Sequence, residues 1–501
     1  MPRNVLATAV AFNSLFLSAS AQIAPAIPFS TGFNSSFALS DDWIAAANLS
    51  EQAAQSINAV INFDRSSLAY GGPRQDDFYT VPELSEPAIK SLKPGQVLKV
   101  QEVTDPAQFA ISPGSSLSRI IYVSLSINGT LVPASAYVLW PYVPRHFGED
   151  EGAPTILWTH GTSGFFADGA PSAHRTLWYE NMMPLSLAQA GYAIVAPDYA
   201  GIGVTQSWDG TEIPHQYLAS PAGGQDALFA LHAAREAFGS RLSEKFAILG
   251  HSQGGGVAWS ASELLASPPN ATTTHNVSTK CVYDSLAKTH VGTISFAPST
   301  RTLNSSAFAG ILVGLNLESI FPDFTLDTWL TPLAIKRLEL LREIQGAASI
   351  AQQLLLGEPV EAVVKPDWHE ASYHAQAFER IADVGYKQVA GPLLVVQGGN
   401  DFFIPKSITD GVVAQLCADR PETSLEYLVA TDFGHTPLLA GLRHVWMDWL
   451  QARFEGKAAA SGCSATTLSG WLGDGAHFLG SNSFAQWAGL PEYVYQNPGA
   501  I

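Results

Sequence analysis

The sequence predicts an α/β fold: a mostly parallel sheet with flanking helices and a helical cap inserted between two strands. Three observations predict it. Short apolar runs recur at "TILWTHG" (155–161), "YAIVAPDY" (192–199), "FAILGHS" (246–252), "VGTISFAP" (291–298), "LLVVQGGND" (393–401) and "SLEYLV" (424–429). Each has the length and composition of a strand buried on both faces. Helical stretches such as "GGQDALFALHAAREAF" separate several of them, which is the pattern of βα units. Right-handed crossovers would then put helices on both faces of the sheet. The third observation is the stretch from Pro298 to Leu393, which lacks strand character. A connection this long between two strands usually carries function.

Element by element, residues 1–21 read as a signal peptide. Arg3 gives a basic start, Val5 to Leu17 an apolar run, and Ala19 and Ala21 the small residues before a cut at Gln22. The run is too short for a permanent anchor, and no other segment reaches the length of a transmembrane helix. Residues 22–90 read as an N-terminal arm with a helical stretch in "DDWIAAANLSEQAAQSINAVI". The main domain spans 91–501. It opens with an antiparallel meander, "GQVLKVQEV", "RIIYVSLSI" and "LVPASAYVLW", where the apolar period falls to two. Asn128-Gly129 lies between the second and third runs as a hairpin tip. The cap, at about 299–391, includes "KRLELLREIQGAASIAQQLLL", in which Leu340, Ile344, Ala347, Ala351 and Leu354 share one face of a helix.

Composition sets the class of partner. Of 501 residues, 47% are hydrophobic and 14% charged, as in a globular chain. The net charge of −18 would repel phosphate backbones, so no nucleic-acid partner is expected. Export would expose six Asn-x-Ser/Thr sites to glycosylation, at Asn34, Asn48, Asn128, Asn270, Asn276 and Asn304. The three cysteines, Cys281, Cys417 and Cys463, allow one disulfide, and Cys417 with Cys463 is the favoured pair of the three possible. Oligomeric state is not readable from the sequence.

The chemistry centres on "KFAILGHSQGGGVAWSASELL" (245–265). A Gly-x-Ser-x-Gly match alone is weak in a chain with 42 glycines. Here it follows a strand and opens a helix. Such a strand-turn-helix elbow strains the serine into an exposed position, which makes Ser252 the candidate nucleophile. The amide of Gln253, at the helix start, points where an oxyanion would form. The loop after "TILWTHG" supplies the second donor, with Thr162 favoured.

A serine hydroxyl needs a histidine to take its proton and a carboxylate to hold that histidine. With this elbow the chain order is serine, acid, histidine. Asp401 leaves the sheet after "LLVVQGGN" and is the expected acid, ahead of Asp432, which sits near His435 and more naturally caps its turn. Three histidines follow Asp401. His435, on the loop after "SLEYLV", is the expected base; His444 lies in a helical stretch and His477 in an irregular tail. His369 and His374 in "DWHEASYH" are spaced i, i+5, which does not suit a helical zinc site, so no metal is expected.

The chain resembles the fungal secretory lipase family, the lipase-A-like branch of the α/β-hydrolases. The resemblance runs from "DDFYTVPE" through "LASPAGGQDALFALHAAREAF" and "GHSQGGG" to "GGNDFFIP" and "FGHTPL". It implies a secreted carboxylic-ester hydrolase (lipase or esterase) of α/β-hydrolase fold, with Ser252, Asp401 and His435 at the positions of the triad and a small-molecule or lipid ester as substrate. No cofactor is implied. The cysteine set and the N-terminal arm depart from that pattern. The same triad would also serve an acyltransferase or a serine peptidase. A secreted binding protein on an inactive scaffold is the reading from another class, and the complete triad argues against it.

Overall fold

A computed structural model of the protein describes residues 36–267, 274–356, 358–473, 476, 477 and 479. The expected signal peptide and the candidate glycosylation sites Asn34 and Asn270 lie outside the described residues, as do the side chains of Asn276 and Asn304.

The framework is a ten-stranded sheet in the order β1-β2-β3-β5-β4-β6-β7-β8-β9-β10. The strands are β1 Val97–Gln101, β2 Ser116–Leu125, β3 Leu131–Trp140, β4 Ala153–Thr159, β5 Ala193–Pro197, β6 Leu242–His251, β7 His290–Phe296, β8 Leu393–Gly398, β9 Leu425–Ala430 and β10 Cys463–Leu468. The first three and the β3–β5 pair are antiparallel, and every other pairing is parallel. The hairpin of β2 and β3 turns at Ser126–Thr130, where Gly129 takes φ +81°.

Alternation along the central strands explains why they read as continuous apolar runs. Ile156 and Trp158 of β4 and Ala247 and Leu249 of β6 join the core on one face, with Trp446 and Leu450 of the helix Arg443–Phe454. Leu157, Phe246 and Ile248 join the core on the other, against the helices Ser220–Phe238 and Gln253–Ala266. With both faces covered, neither set can be polar.

Between β7 and β8 the described residues form six α-helices that share a hydrophobic core with the N-terminal helix Glu51–Ser66. Ala54, Ile57, Val60 and Ile61 of that helix pack with Leu340, Ile344, Ile350 and Leu354. Arg337 ties the two segments by donating to the carbonyls of Ala47 and Leu354 at 3.1 and 2.6 Å.

Two expectations are corrected here. The stretch "KRLELLREIQGAASIAQQLLL" is not one helix but two, Pro332–Glu343 and Ala348–Leu355. Gln345 turns left-handed at φ +53°, and Gly346 N–H closes back on the Leu341 carbonyl at 2.9 Å, a Schellman ending. The N-terminal helical stretch breaks in the same way. Asn48 at φ +49° ends the helix Asp41–Ala46, and the Ser50 side chain caps the helix Glu51–Ser66 by accepting from Ala53 N–H. β10, an exposed strand beyond β9, is not among the strands expected from the sequence. Its first residue, Cys463, forms a disulfide with Cys417 of the helix Lys406–Asp419, while Cys281 is free and exposed.

Candidate active site

The elbow follows from three local facts. β6 ends at His251, Ser252 adopts φ +59° and ψ −121°, and the helix Gln253–Ala266 begins at once. A non-glycine residue at positive φ is uncommon and strained, and it survives only where the surroundings dictate it. The surroundings here are close-packed backbone. A Cβ at Gly250 would lie 2.0 Å from the Gly254 carbonyl oxygen, and one at Gly254 would lie 2.0 Å from that of Thr159. Only glycine fits either position. The Ser252 N–H donates to the Phe296 carbonyl at 3.0 Å, and its own carbonyl accepts from Ser299 N–H at 3.0 Å, fixing the turn against β7.

Asp401 and His435 emerge after β8 and β9, at the same carboxyl edge of the sheet. His435 Nδ1 lies 2.7 Å from Asp401 Oδ2, with both residues buried. Two backbone amides, Phe403 and Ile404, donate to Asp401 Oδ1 at 2.9 Å each, and Gln397 Nε2 donates to Oδ2 at 3.2 Å. The carboxylate is thus held in one orientation, and it directs the other ring nitrogen of His435 away from itself. Ser252, His435, Gln253 and Thr162 line one cavity of about 80 Å³, roofed by Phe308, Leu312 and Ala348. All five residues expected at the site are therefore gathered in one place, four of them on a single cavity wall and Asp401 directly behind His435.

Gln253 opens its helix, so its N–H is among the donors that have no partner within the helix. The Thr162 hydroxyl pairs with the Tyr217 hydroxyl at 2.9 Å, which anchors the loop after β4. His444 is exposed on the helix Arg443–Phe454, His477 is exposed, and Asp432 lies outside this arrangement. His369 pairs with Glu379 at 2.8 Å and His374 with Asp323 at 3.3 Å. Among the described residues no cluster of three or more potential metal ligands occurs.

Sequence reasoning missed a set of supporting residues. His251 is fully buried and donates from Nε2 to the backbone carbonyl of His435 at 2.9 Å. A carbonyl can only accept, so Nε2 carries the hydrogen and Nδ1 accepts from the Tyr179 hydroxyl at 2.6 Å. Tyr179 in turn accepts from Gly161 N–H at 3.2 Å. Burial, aided by the neighbouring His435, holds the His251 imidazole well below the usual histidine range, so it stays neutral. His215 plays a similar part on the other side. Its Nδ1 donates to the Ala200 carbonyl at 3.0 Å, and its Nε2 accepts from the Gln253 side chain at 3.1 Å. The only sequence signal for His251 was its place inside the Gly-x-Ser-x-Gly motif, and for Tyr179 and His215 there was none.

Fold and site together define an α/β hydrolase. A model of the alpha/beta hydrolase family matches residues 156–448, and the chain belongs to that family. Among solved structures the chain is similar to Candida antarctica lipase A in its closed state, with a TM-score of 0.58 at 17% identity, covering 83% of this chain and 94% of that one. It is also similar to a mutant of the rice cell wall degrading esterase LipA from Xanthomonas oryzae, with a TM-score of 0.51 at 16% identity, covering 71% and 99%. At such identities the likeness concerns the fold. No curated protein matches the chain in sequence. Among the described residues no helix is long and apolar enough to cross a membrane.

Proposed function

We propose that the protein is a secreted serine carboxylic-ester hydrolase of the lipase and esterase type, related to the fungal secretory lipases. The observation that carries this reading is the bond between His435 Nδ1 and Asp401, with Ser252 on the same small cavity as His435. In this reading Ser252 Oγ attacks the ester carbonyl carbon while its proton passes to His435 Nε2. Asp401 stabilises the imidazolium that forms. The carbonyl oxygen, now negative, is held by the amides of Gln253 and Thr162. The intermediate collapses, the carbon–oxygen bond to the alcohol breaks, and the alcohol leaves with the proton from His435. Water then gives its proton to His435 and attacks the acyl-enzyme, and the return of that proton to Ser252 releases the acid.

The cap residues Phe308 and Leu312 on the cavity favour a hydrophobic ester. Export is supported by the N-terminal sequence and by the Cys417–Cys463 disulfide, a bond that persists in oxidising compartments. Asn48 and Asn128 have exposed positions consistent with glycosylation in that pathway. The purified protein is expected to hydrolyse p-nitrophenyl esters, and the Ser252→Ala variant is expected not to. No turnover with any chain length, with wild type and variant alike, would remove the reading.

A further inference from the structure

The loop of Thr162 is backed by separate parts of the chain. Ala347 pairs with Gly164 in an isolated antiparallel bridge, and Ala348 N–H donates to the Ser163 carbonyl at 3.1 Å, so the cap helix Ala348–Leu355 starts against this loop. The N-terminal arm reaches the same place. Arg74 grips Asp168 at 2.7 Å, and Asp64, in the helix Glu51–Ser66, accepts a hydrogen bond from the Ser349 hydroxyl of the cap helix. Behind the loop lies a cavity of about 10 Å³ whose lining includes Asp64, Ser163, Asp168, Trp178 and Ala347. That is about the room one water molecule needs.

Two residues on this cavity carry polar atoms that need a partner. Ser163 Oγ and Trp178 Nε1 are buried, and neither has a hydrogen-bond partner among the described residues. An unpaired buried donor is costly, so nearly all such groups in folded proteins are satisfied by protein or by ordered water. What sets this pair apart from other buried polar atoms is a shared small cavity with a carboxyl on its wall. One water satisfies all three groups: it accepts from the indole N–H, bonds the Ser163 hydroxyl, and donates to the Asp64 carboxyl. Three bonds are the usual number for a buried water.

We propose that this cavity binds one water molecule, and that through it and through Ser349 Asp64 is a positioning residue for the loop of Thr162. The proposal rests on the esterase reading above, in which the Thr162 amide holds the oxyanion. Asp64 touches no substrate. By way of Ser349 it fixes the start of the helix whose first N–H holds the Ser163 carbonyl, next in the chain to Thr162. By way of the water it holds Ser163 and Trp178 together. Trp178 belongs to a strained segment, in which Leu177, Trp178 and Glu180 take φ of +57°, +68° and +47°. Strain of that kind persists only where the surroundings dictate it, and here the segment brings the Tyr179 hydroxyl to Gly161 N–H at 3.2 Å. The arm thus supports the reaction without holding any reacting group.

The test joins a crystal structure of the wild type to the kinetics of variants. One water within hydrogen-bond distance of Asp64, Ser163 and Trp178 is expected, and a well-resolved cavity without it would overturn the site. Asp64→Ala is expected to lower kcat on p-nitrophenyl butyrate about ten-fold with KM little changed, a smaller loss than removal of a whole oxyanion donor. Its Ki for an alkyl trifluoromethyl ketone, whose adduct with Ser252 carries the same oxyanion, is expected to rise by the same factor. Asp64→Asn, which keeps an oxygen for Ser349 and the water, should retain most of both. A merely structural role would lower the yield of folded enzyme and leave kcat per active site and Ki alone. Should Asp64→Ala fail to fold, Ser163→Ala removes a single hydroxyl and should lower kcat several-fold with a matching change in Ki. Folded variants with the kcat and Ki of the wild type would overturn the positioning role while leaving the esterase reading intact. A wild-type protein that neither turns over the ester nor binds the ketone would defeat the esterase reading itself, and the positioning role with it.

Discussion

The buried imidazole of His251 donates a 2.9 Å hydrogen bond to the backbone carbonyl of His435, although the two residues stand far apart in the chain. Through Tyr179, which bonds His251 at 2.6 Å and Gly161 at 3.2 Å, the same ring also reaches the loop that carries Thr162. His251 thus fixes both His435 and the loop of Thr162 relative to Ser252. In the proposed reaction it touches no substrate and is a positioning residue.

Removing that link should misplace His435 without emptying its site. His251→Ala is expected to lower kcat by about 10²-fold, the scale associated with a misplacement of about 1 Å, with KM little changed. Tyr179→Phe should lower kcat by less, because the His251 donation to His435 remains. A merely structural role would lower the yield of folded enzyme but leave kcat per labelled active site unchanged. Titrating active sites before measuring turnover separates the two.

Glycines of two kinds are predicted to behave in opposite ways. Gly254→Ala would drive a Cβ into the Thr159 and His160 carbonyls, at 2.0 and 2.5 Å. The elbow must shift, at a cost on the order of 1–3 kcal/mol, with loss of turnover. Gly411 lies in the interior of the helix Lys406–Asp419 and has nothing within 4 Å of a built Cβ. Gly411→Ala should stabilise the protein by about 0.5–1 kcal/mol and leave turnover alone. Urea denaturation and initial rates check both.

The strands were legible because burial on both faces leaves a run of apolar residues that no amphipathic helix would show. Ser252, Asp401 and His435 were legible because an elbow needs glycines at fixed places and because the chain order of the partners is constrained. The helix break at Gln345 was not. The apolar spacing of Leu340, Ile344, Ala347, Ala351 and Leu354 continues across it, while the break itself is a left-handed glutamine, a residue that carries no turn signal. The break at Asn48 was better marked, since asparagine tolerates that conformation and Ser50 caps the next helix. β10 was hidden for another reason. It is exposed along its length and shows no apolar alternation, being held by backbone pairing to β9 and by a disulfide.

That disulfide gives a stability prediction. Breaking it releases β10 from the helix Lys406–Asp419, and the Cys417→Ser, Cys463→Ser double variant should lose about 2–4 kcal/mol of stability. Ester turnover at moderate temperature should persist, because the Asp401 and His435 loops leave β8 and β9 rather than β10. A thermal melt with and without the bond, paired with an activity assay, tests both halves.

Buried carboxyls give a pH prediction with a definite sign. Burial pushes Asp226 up to about 7, against hydrogen bonds from Ser124 and from Ala200 N–H that act the other way. The folded state therefore holds this proton more tightly than the unfolded chain. Its contribution is fully present below about pH 4 and is lost as pH rises through about 7. Histidines oppose it: burial lowers His160 and His290 to about 4, so theirs is present above about 6.5 and lost as pH falls toward 4. The single-site difference isolates one term. From about pH 4 to about pH 7 the stability of Asp226→Asn should improve relative to wild type, by at most roughly 1.4 kcal/mol per pH unit. A difference that does not change with pH would contradict the assignment.

The central claim is that Ser252 is made nucleophilic by His435 and Asp401, and covalent capture tests it most directly. The protein is treated with a fluorophosphonate and weighed intact, then digested to locate the adduct. The account predicts one adduct per chain, on Ser252, absent in Ser252→Ala and formed far more slowly in His435→Ala. A wild-type protein that stays unlabelled, or a Ser252→Ala variant that labels as fast as wild type, would contradict it.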